Sequence, residues 1–438
     1  MDVFIIIFTG LIGFYMAWNI GANDVANSMA NAVGSRSLSV KNAVILAGIC
    51  EFSGVVLVGS SVTETIRKGI VDPNMIAALP NLREGEAAAL LIIGMTAALL
   101  CSAFWLHFAT WVGMPVSTTH AIVGAVAGFG VVAAGWHSVN WHKLSQIVAS
   151  WFISPLAGGV VAFVLFKFIS TFILGREKPA EAAKTHAPPI VFLLVFVVTM
   201  ATIYKGLNHI ISSLHWLTGT TSFIISIALG LICAIIAKIW ISRHLRGKET
   251  LPIAKQLEEV EMIFVPLVIV SSCSVAFAHG ANDVANAIGP YAAIVDIVKH
   301  GTLQVTVGVS FNILLMGAIG IVLGIVTYGH RVMATVGTKI TEITPSRGVA
   351  ADIAASATVL ICSRLSLPVS TTHTLVGAIM GIGLARGLGG INKSVAKKIF
   401  ASWLITVPAA AILSIIFFLV GRHIFLDLLI DVVLAARG

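Results

Sequence analysis

The feature that most constrains the fold is a series of apolar runs, most of them close to the length that crosses a lipid bilayer. A transmembrane α-helix needs about 20 predominantly apolar residues, whereas a transmembrane β-barrel shows alternating segments of about ten residues. The apolar runs lie at residues 3–18, 42–59, 87–111, 146–174, 190–203, 219–241, 262–278, 302–327, 349–363 and 399–421. The sequence therefore predicts an all-α polytopic membrane protein with roughly 10 to 12 membrane segments.

Composition supports a multi-pass protein of the cell (cytoplasmic) membrane. Of the 438 residues, 58% are hydrophobic and 11% are charged, against about 25% charged residues in average soluble domains. The formal net charge of +8 is carried by loops, where basic residues usually report topology, so no nucleic-acid partner is predicted. The five cysteines lie in apolar runs without CxxC spacing. We interpret them as small buried residues without a metal or redox role.

Two motifs occur twice, in the same order. Gly-Ala-Asn-Asp-Val-Ala-Asn occupies residues 21–27 and 280–286, and Pro-Val-Ser-Thr-Thr-His occupies residues 115–120 and 368–373. A weaker match pairs Ala-Ser-Trp at 149–151 with 401–403. The pattern indicates an internal duplication, with a first repeat at 1–174, a central two-span connector at 175–261 and a second repeat at 262–438. Because the N-terminal run belongs to the repeat, a cleaved signal peptide is not expected.

The basic connector at residues 243–261 predicts which way the repeats face. Its lysines and arginines place it on the cytoplasmic side. An odd number of crossings in the first repeat makes the two repeats inverted, and an even number makes them parallel. Hydropathy leaves the parity open, because the segments around the four motif copies are compatible with re-entrant hairpins. We expect two inverted-topology repeats with broken helices, an arrangement that places a substrate site near the middle of the membrane.

Each copy of the first motif places a carboxylate, Asp24 or Asp283, inside an apolar run. Such residues are costly in a membrane and indicate a functional site by default. The glycine is expected to break the helix and the Asn-Asp pair to cap the half-helix that restarts. A capped kink without a ligand is one interpretation. The other is a cation site whose oxygen ligands come from Asn23, Asp24, Asn27, Asn282, Asp283 and Asn286.

Each copy of the second motif is typical of the N-terminus of a membrane half-helix. Free backbone N–H groups and the helix dipole make such an end an anion site. The hydroxyls that add donors there are those of Ser117, Thr118, Thr119, Ser370, Thr371 and Thr372. The alternative is that these hydroxyls only bond backbone carbonyls or mediate helix packing.

Together the two motifs favour a protonated oxyanion as ligand. Asp24 and Asp283 would repel a fully ionised anion, whereas hydrogen phosphate can donate its O–H to one carboxylate. Its other oxygens can accept from the serine and threonine donors, and bound cations offset the remaining charge. Sulfate carries no proton at neutral pH and would be disfavoured.

These motifs resemble the PiT family of inorganic phosphate transporters. The resemblance also covers Glu51-Phe52 and the stretch Glu64-Thr65-Ile66-Arg67-Lys68-Gly69-Ile70, which is more similar to the sodium-coupled branch than to the proton-coupled one. It implies an inverted-repeat helical homodimer that takes up phosphate with sodium ions, without a cofactor and without enzymatic activity. It assigns phosphate binding to the six hydroxyl residues, and acidic and cation roles to Asn23, Asp24, Asn282 and Asp283.

Glu51 is a further candidate, either as an additional cation ligand or coupling carboxylate, which the resemblance also favours, or as a solvated residue at the membrane edge. The two copies of the first motif are 259 positions apart, and the same spacing gives Ser310 as the counterpart of Glu51. The predicted duplication is therefore asymmetric at this position. Arg364 could bring positive charge near an anion or extend to the interface.

The sequence thus predicts a secondary transporter that imports inorganic phosphate by symport with sodium. Within transport the alternative is a proton-coupled phosphate or sulfate permease. From other classes, an anion channel would not need buried carboxylates. A hydrolase triad drawn from Ser117, His120 and Asp24 has no reason to occur inside a duplicated membrane motif.

Overall fold

The computed structural model describes residues 2–59, 70–71, 73–203, 219–302, 309–364 and 369–437. The helices are α1 Asp2–Gly34, α2 Val40–Val58, α3 Pro73–Ala77, α4 Glu86–Trp111, α5 Thr118–Ala134, α6 Trp141–Ile169, α7 Pro179–Ala201, α8 Gly219–His244, α9 Ile253–Asp283, α10 Ala285–His300, α11 Phe311–Tyr328, α12 His330–Thr338, α13 Pro345–Arg364, α14 Thr371–Ala385 and α15 Lys393–Ala435. Residues 64–69, Pro368 and the side chain of Arg364, all named above, lie outside the described part.

The prediction of an all-α membrane protein is confirmed. Within the described ranges, nine helical segments are long and apolar enough to cross a membrane, and α5 and α14 are shorter apolar helices. The only β-type pairing in these ranges is an isolated bridge between Val71 and Val139. Several helices extend past the apolar runs into polar flanks, where a side chain caps the first turn. Asn140 caps α6 by accepting from the N–H of Lys143, and Asn392 caps α15 by accepting from that of Val395.

The expected helix break at Gly21 is wrong. Helix α1 continues without interruption through the first Gly-Ala-Asn-Asp copy, and in the second copy only Val284 interrupts the helix, between α9 and α10. Val284 itself stands at the N-cap of α10 and no side chain caps that end, so Asn282 and Asp283 do not act as caps. The glycines are instead needed where helices approach closely.

Gly21 and Gly280 are both sites of backbone contact between the two halves. A Cβ on Gly21 would meet the backbone of Ile321 in α11, and a Cβ on Gly280 would meet the backbone of Glu51 in α2. Small residues permit this approach of helix backbones in membranes. Helix α1 therefore packs on α11 while its counterpart α9 packs on α2.

This contact corrects the counterpart of Glu51. The offset of the first motif pointed to Ser310, but Glu51 and Ile321 occupy equivalent places against Gly280 and Gly21. The connections that precede α2 and α11 differ in length, so one offset does not apply to both helices. The asymmetry predicted at this position remains, because Ile321 is not ionisable.

The short helices α5 and α14 are exchanged between halves in the same way. Gly124 of α5 packs on the backbone of Val407 in α15, and Gly377 of α14 packs on the backbone of Pro155 in α6. Each half therefore holds the half-helix of the other. Between them, α7 and α8 pack on each other, with Gly230 against Phe192. The division at residues 175 and 262 stays a prediction, and α9 already begins at Ile253.

Candidate functional site

The N-termini of α5 and α14 confirm the half-helices predicted from the Pro-Val-Ser-Thr-Thr-His copies. The Oγ of Ser117 accepts from the N–H of His120 at 3.3 Å, and the Oγ of Ser370 accepts from that of His373 at 3.2 Å. Both serines are N-caps with extended backbone, the geometry that serine favours at this position. Each serine thus satisfies one free N–H of its own helix, and the threonines that follow are placed in the first turn.

Asn23 fixes the segment that leads into α5. Its Nδ2 donates to Oγ1 of Thr110 at 2.9 Å and to the carbonyl of Met114 at 3.1 Å, and its Oδ1 accepts from the N–H of Val116 at 3.1 Å. The amide of this predicted cation ligand is therefore engaged in holding a half-helix N-terminus.

The two halves exchange amide and hydroxyl contacts at the centre. The Nδ2 of Asn27 donates to Oγ1 of Thr372 at 2.7 Å, and the Nδ2 of Asn286 donates to Oγ1 of Thr118 and of Thr119, both at 3.2 Å. The Gly-Ala-Asn-Asp motif of each half thereby contacts the Pro-Val-Ser-Thr-Thr-His motif of the other half. The structure brings together residues that are more than 160 positions apart in the sequence.

Asp24 and Asp283 meet at a histidine that the motifs do not include. Oδ1 of Asp24 accepts from Asn27 at 3.0 Å and from Thr372 at 3.4 Å. His279 Nε2 lies 2.8 Å from Oδ2 of Asp283 and 3.6 Å from Oδ2 of Asp24. Ligand atoms of Asp24, His279 and Asp283 all lie within 4.8 Å of one another. The carboxylates of the two halves therefore form one centre.

Glu51 belongs to this centre and is fully buried. Its Oε2 lies 3.2 Å from Nδ1 of His279, and its Oε1 accepts from Ser28 at 3.4 Å. Its side chain is 0% exposed, which excludes the solvated position at the membrane edge. Among the described residues, His279 is the basic group that contacts these carboxylates. One imidazolium would offset only one of the three negative charges.

A cavity of about 60 Å³ adjoins the centre. Its polar lining includes Asn27, His279, Asn282 and Thr371, so three predicted site residues face it. The Nδ2 of Asn282 donates to Oδ1 of Asp283 at 2.6 Å. The cavity therefore connects the carboxylate cluster with the N-terminus of α14.

The donor set fits a hard monovalent cation, which prefers oxygen ligands. Oδ1 of Asn27 and Oδ1 of Asn286 are buried and accept no hydrogen bond from any described residue. Buried polar atoms of this kind call for a partner. Together with the carboxylates of Asp24 and Asp283 they supply oxygens from both halves, and oxygen is the ligand atom that hard cations take.

Sequence reasoning missed His279 and Asp352. His279 precedes the second Gly-Ala-Asn-Asp copy, and its counterpart in the first copy is Ile20, so the repeat comparison did not select it. Asp352 lies in the run 349–363, where an ionisable residue alone was sufficient to suggest a site. Its carboxylate accepts from Asn31 at 2.5 Å, from Ser271 at 2.6 Å and from Ser272 at 3.0 Å, which ties α1, α9 and α13 together.

The structure does not support a hydrolase triad. The His120 ring packs against Trp151 and against His373, with ring centroids 4.9 and 4.6 Å apart. Ser117 Oγ is used as a helix cap. The hydroxyl, imidazole and carboxylate are therefore not arranged as nucleophile, base and orienting group.

The amino-acid sequence is similar to those of known phosphate transporters and permeases. A model of the phosphate transporter family matches residues 20–414. A relative from Pyrococcus horikoshii, named as a phosphate permease, is 46% identical over 413 residues, covering 94% of this chain and 97% of the relative. The chloroplastic inorganic phosphate transporter 2-1 of Arabidopsis thaliana is 40% identical over 437 residues, covering 93% of this chain and 71% of the relative.

A solved structure described as a sodium-dependent phosphate transporter is also similar. It aligns with a TM-score of 0.82 at 40% sequence identity, covering 96% of this chain and 99% of that one. The family match at residues 20–414 contains both copies of each motif and the carboxylate centre. The similarity is to a family of transporters, not of enzymes. The protein belongs to the phosphate transporter family.

Proposed function

We propose that this protein imports inorganic phosphate by symport with sodium ions across the cytoplasmic membrane. The central observation is the single buried centre in which Asp24 and Asp283 lie beside the hydroxyl-bearing N-termini of α5 and α14. The threonine hydroxyls and free helix N–H groups would bind phosphate oxygens. The oxygens of Asn27, Asn286 and both aspartates would bind sodium.

Charge explains why anion and cation would enter together. Among the described residues, the centre holds three carboxylates against one imidazole, and a phosphate anion alone would add further negative charge at low dielectric. Sodium ions lower that cost. Bound phosphate in turn stabilises the sodium ions, and this mutual dependence is the thermodynamic basis of coupling.

The direction of the helices supports an inverted arrangement of the two repeats. Phe14 and Val25 of α1 contact Gly320 and Gly329, so α1 runs parallel to α11; Gly280 and Val284 contact Glu51 and Gly59, so α9 runs parallel to α2. Because α1 and α2 are joined by a short turn and run in opposite directions, α1 and α9 do too. Alternating access through inverted repeats, and a homodimeric assembly, are part of the proposal.

Uptake of radiolabelled phosphate into proteoliposomes tests the sodium coupling. We expect uptake above the equilibrium level when sodium is higher outside, and little uptake when potassium replaces sodium. A tenfold excess of sulfate should compete weakly. Uptake that does not depend on sodium would disprove this function.

His279 supports a second candidate, a proton-coupled phosphate transporter. An imidazole in contact with Asp24, Glu51 and Asp283 can hold a proton at the place where a cation would bind. In the same proteoliposomes, accumulation driven by a proton gradient in the absence of sodium would favour this candidate.

A further inference from the structure

A groove lies on the outer face of the helix bundle, between α6, α14 and α15. Its volume is about 430 Å³, within the roughly 300 to 1,000 Å³ typical of small-ligand sites. Gly159, Gly377 and Gly381 contribute to it without side chains, and Trp151 and Trp403 stand in its wall. The groove lies beside the close backbone contact that these glycines permit between α6 and α14.

The groove has the position and length of one bilayer leaflet. Its α6 edge runs from Phe152 to Phe163, a rise of about 17 Å along the helix. Half of a hydrocarbon core is about 15 Å. Phe152, Leu156 and Phe163 are 64%, 69% and 39% exposed, so the groove faces the region that lipid chains occupy.

The end of the groove near Phe163 lies on the side of the basic loops. Pro155 contacts Gly377 and Gly159 contacts Gly381, so α6 and α14 run parallel. Helix α15 begins shortly after α14 ends, and therefore starts at this same end. Arg176 and Lys178 follow α6 there, which marks the cytoplasmic side.

Lysines stand at this end on both sides of the groove. Lys167 lies one turn beyond Phe163 on α6, and Lys397 lies one turn before Phe400 on α15, with Lys393 a further turn away. All three are exposed, and none forms an ion pair within the described ranges. The apolar groove therefore has exposed lysines near its cytoplasmic end on both α6 and α15, and these lysines form no ion pair within the described ranges.

We propose that this groove binds one anionic phospholipid. An acyl chain would lie against Phe152, Leu156 and Phe163, and the headgroup phosphate would lie between Lys167 and Lys397. Basic residues that served only to set topology would not need an apolar recess beside them. The cytoplasmic leaflet supplies anionic lipids. The lipid would contact α14, the helix whose N-terminus carries Thr372.

Native mass spectrometry of the purified full-length protein tests the site. The protein is titrated with phosphatidylglycerol or with phosphatidylcholine of the same chains, and the first binding constant is measured for each. We expect a preference for phosphatidylglycerol. Lys167→Gln and Lys397→Gln should each weaken its binding about fivefold, the effect of one basic side chain near an anionic membrane surface.

Lys398→Gln is the matched control, because Lys398 is exposed on the same turn of α15 but points away from the stripe formed by Lys397, Phe400 and Leu404. Binding should remain within twofold of the unmodified protein. A loss in Lys398→Gln equal to that in Lys397→Gln, or equal binding of both lipids, would overturn the proposal.

The Leu156→Trp variant distinguishes a lipid from a second copy of the chain as the occupant of the groove. It fills the recess, and for a lipid site it should weaken phosphatidylglycerol binding while the oligomeric state stays unchanged. Loss of dimers with unchanged lipid binding would show that this face is an interface between copies, and the proposal would then be wrong. Size-exclusion profiles and phosphate uptake confirm that each variant is folded.

Discussion

Single residues at the centre differ in what their side chains must supply. Asp24 and Asp283 are buried, 1% and 3% exposed, and each must stay ionised to attract a cation. Their isosteric amides keep the shape but remove the charge. We therefore expect transport to depend on the charge of both.

Asp24→Asn and Asp283→Asn should each lower the initial rate of sodium-driven phosphate uptake at least tenfold, which corresponds to about 1.4 kcal/mol of lost stabilisation. Proteoliposome uptake at matched protein density measures the effect. Asp427→Asn is the control, because that carboxylate is 85% exposed on the far end of α15 and should leave uptake unchanged. Near-normal uptake in both centre variants would contradict the assignment.

His279 should matter for stability as well as for transport. His279→Gln removes the imidazole that contacts Glu51 and both aspartates, and breaking a buried ion pair from one side typically costs about 3 to 5 kcal/mol. Thermal unfolding in detergent should shift to lower temperature. Added sodium should raise the unfolding temperature of the variant more than that of the unmodified protein. The double variant Glu51→Gln with His279→Gln should be less destabilised than the sum of the single changes.

His423→Gln serves as the control for that experiment, since His423 is exposed and its loss should not shift unfolding. An equally stable His279→Gln protein would show that the imidazole does not offset the carboxylates.

The threonines that accept hydrogen bonds from asparagines of the opposite half lead to a prediction about phosphate affinity. Thr119→Val and Thr372→Val keep the side-chain volume and remove a hydroxyl, so each should raise the KM for phosphate about fivefold, or about 1 kcal/mol for one hydrogen bond. Thr96→Val is the control, because among the described residues its hydroxyl donates only to the carbonyl of Ile92 in its own helix. Unchanged KM in both variants would place phosphate elsewhere.

At the scale of helices, the glycines of the first motif act in packing. Gly280→Ala would place a Cβ against the backbone of Glu51, and separating two packed helices typically costs about 1 to 3 kcal/mol. A lower unfolding temperature in detergent is the expected result. Gly389→Ala is the matched control: nothing lies within 4 Å of its Cβ position, so unfolding should be unchanged. Equal stability of the two variants would argue against backbone contact between α9 and α2.

At the scale of the molecule, the proposed inverted arrangement predicts that equivalent loops of the two repeats lie on opposite sides of the membrane. Lys41 follows α1 and Thr302 follows α10, and both are exposed. A membrane-impermeant thiol reagent should label Thr302→Cys in intact cells and Lys41→Cys only after permeabilisation. Labelling of the unmodified protein, which has five cysteines, is measured in parallel and subtracted. Labelling of both positions from one side would exclude inverted repeats.

Several features followed from local sequence. Runs of apolar residues predict membrane helices wherever they occur, because burial of their backbone in lipid requires a helix. The serines of the repeated motifs predict helix N-termini for the same local reason. Local rules misjudged Gly21, however, because a glycine at a break and a glycine at a close helix contact have the same sequence signature.

The sequence by itself determined that this protein crosses the membrane repeatedly, and that a motif with a carboxylate and a motif with hydroxyls each occur twice. Only the tertiary structure decided which of these groups meet. Asp24 contacts Thr372, 348 residues away, and His279 contacts Glu51, although neither pair is related by the repeat. The reason is physical: each half packs its helices on those of the other, so the centre is assembled from contacts that no local pattern contains.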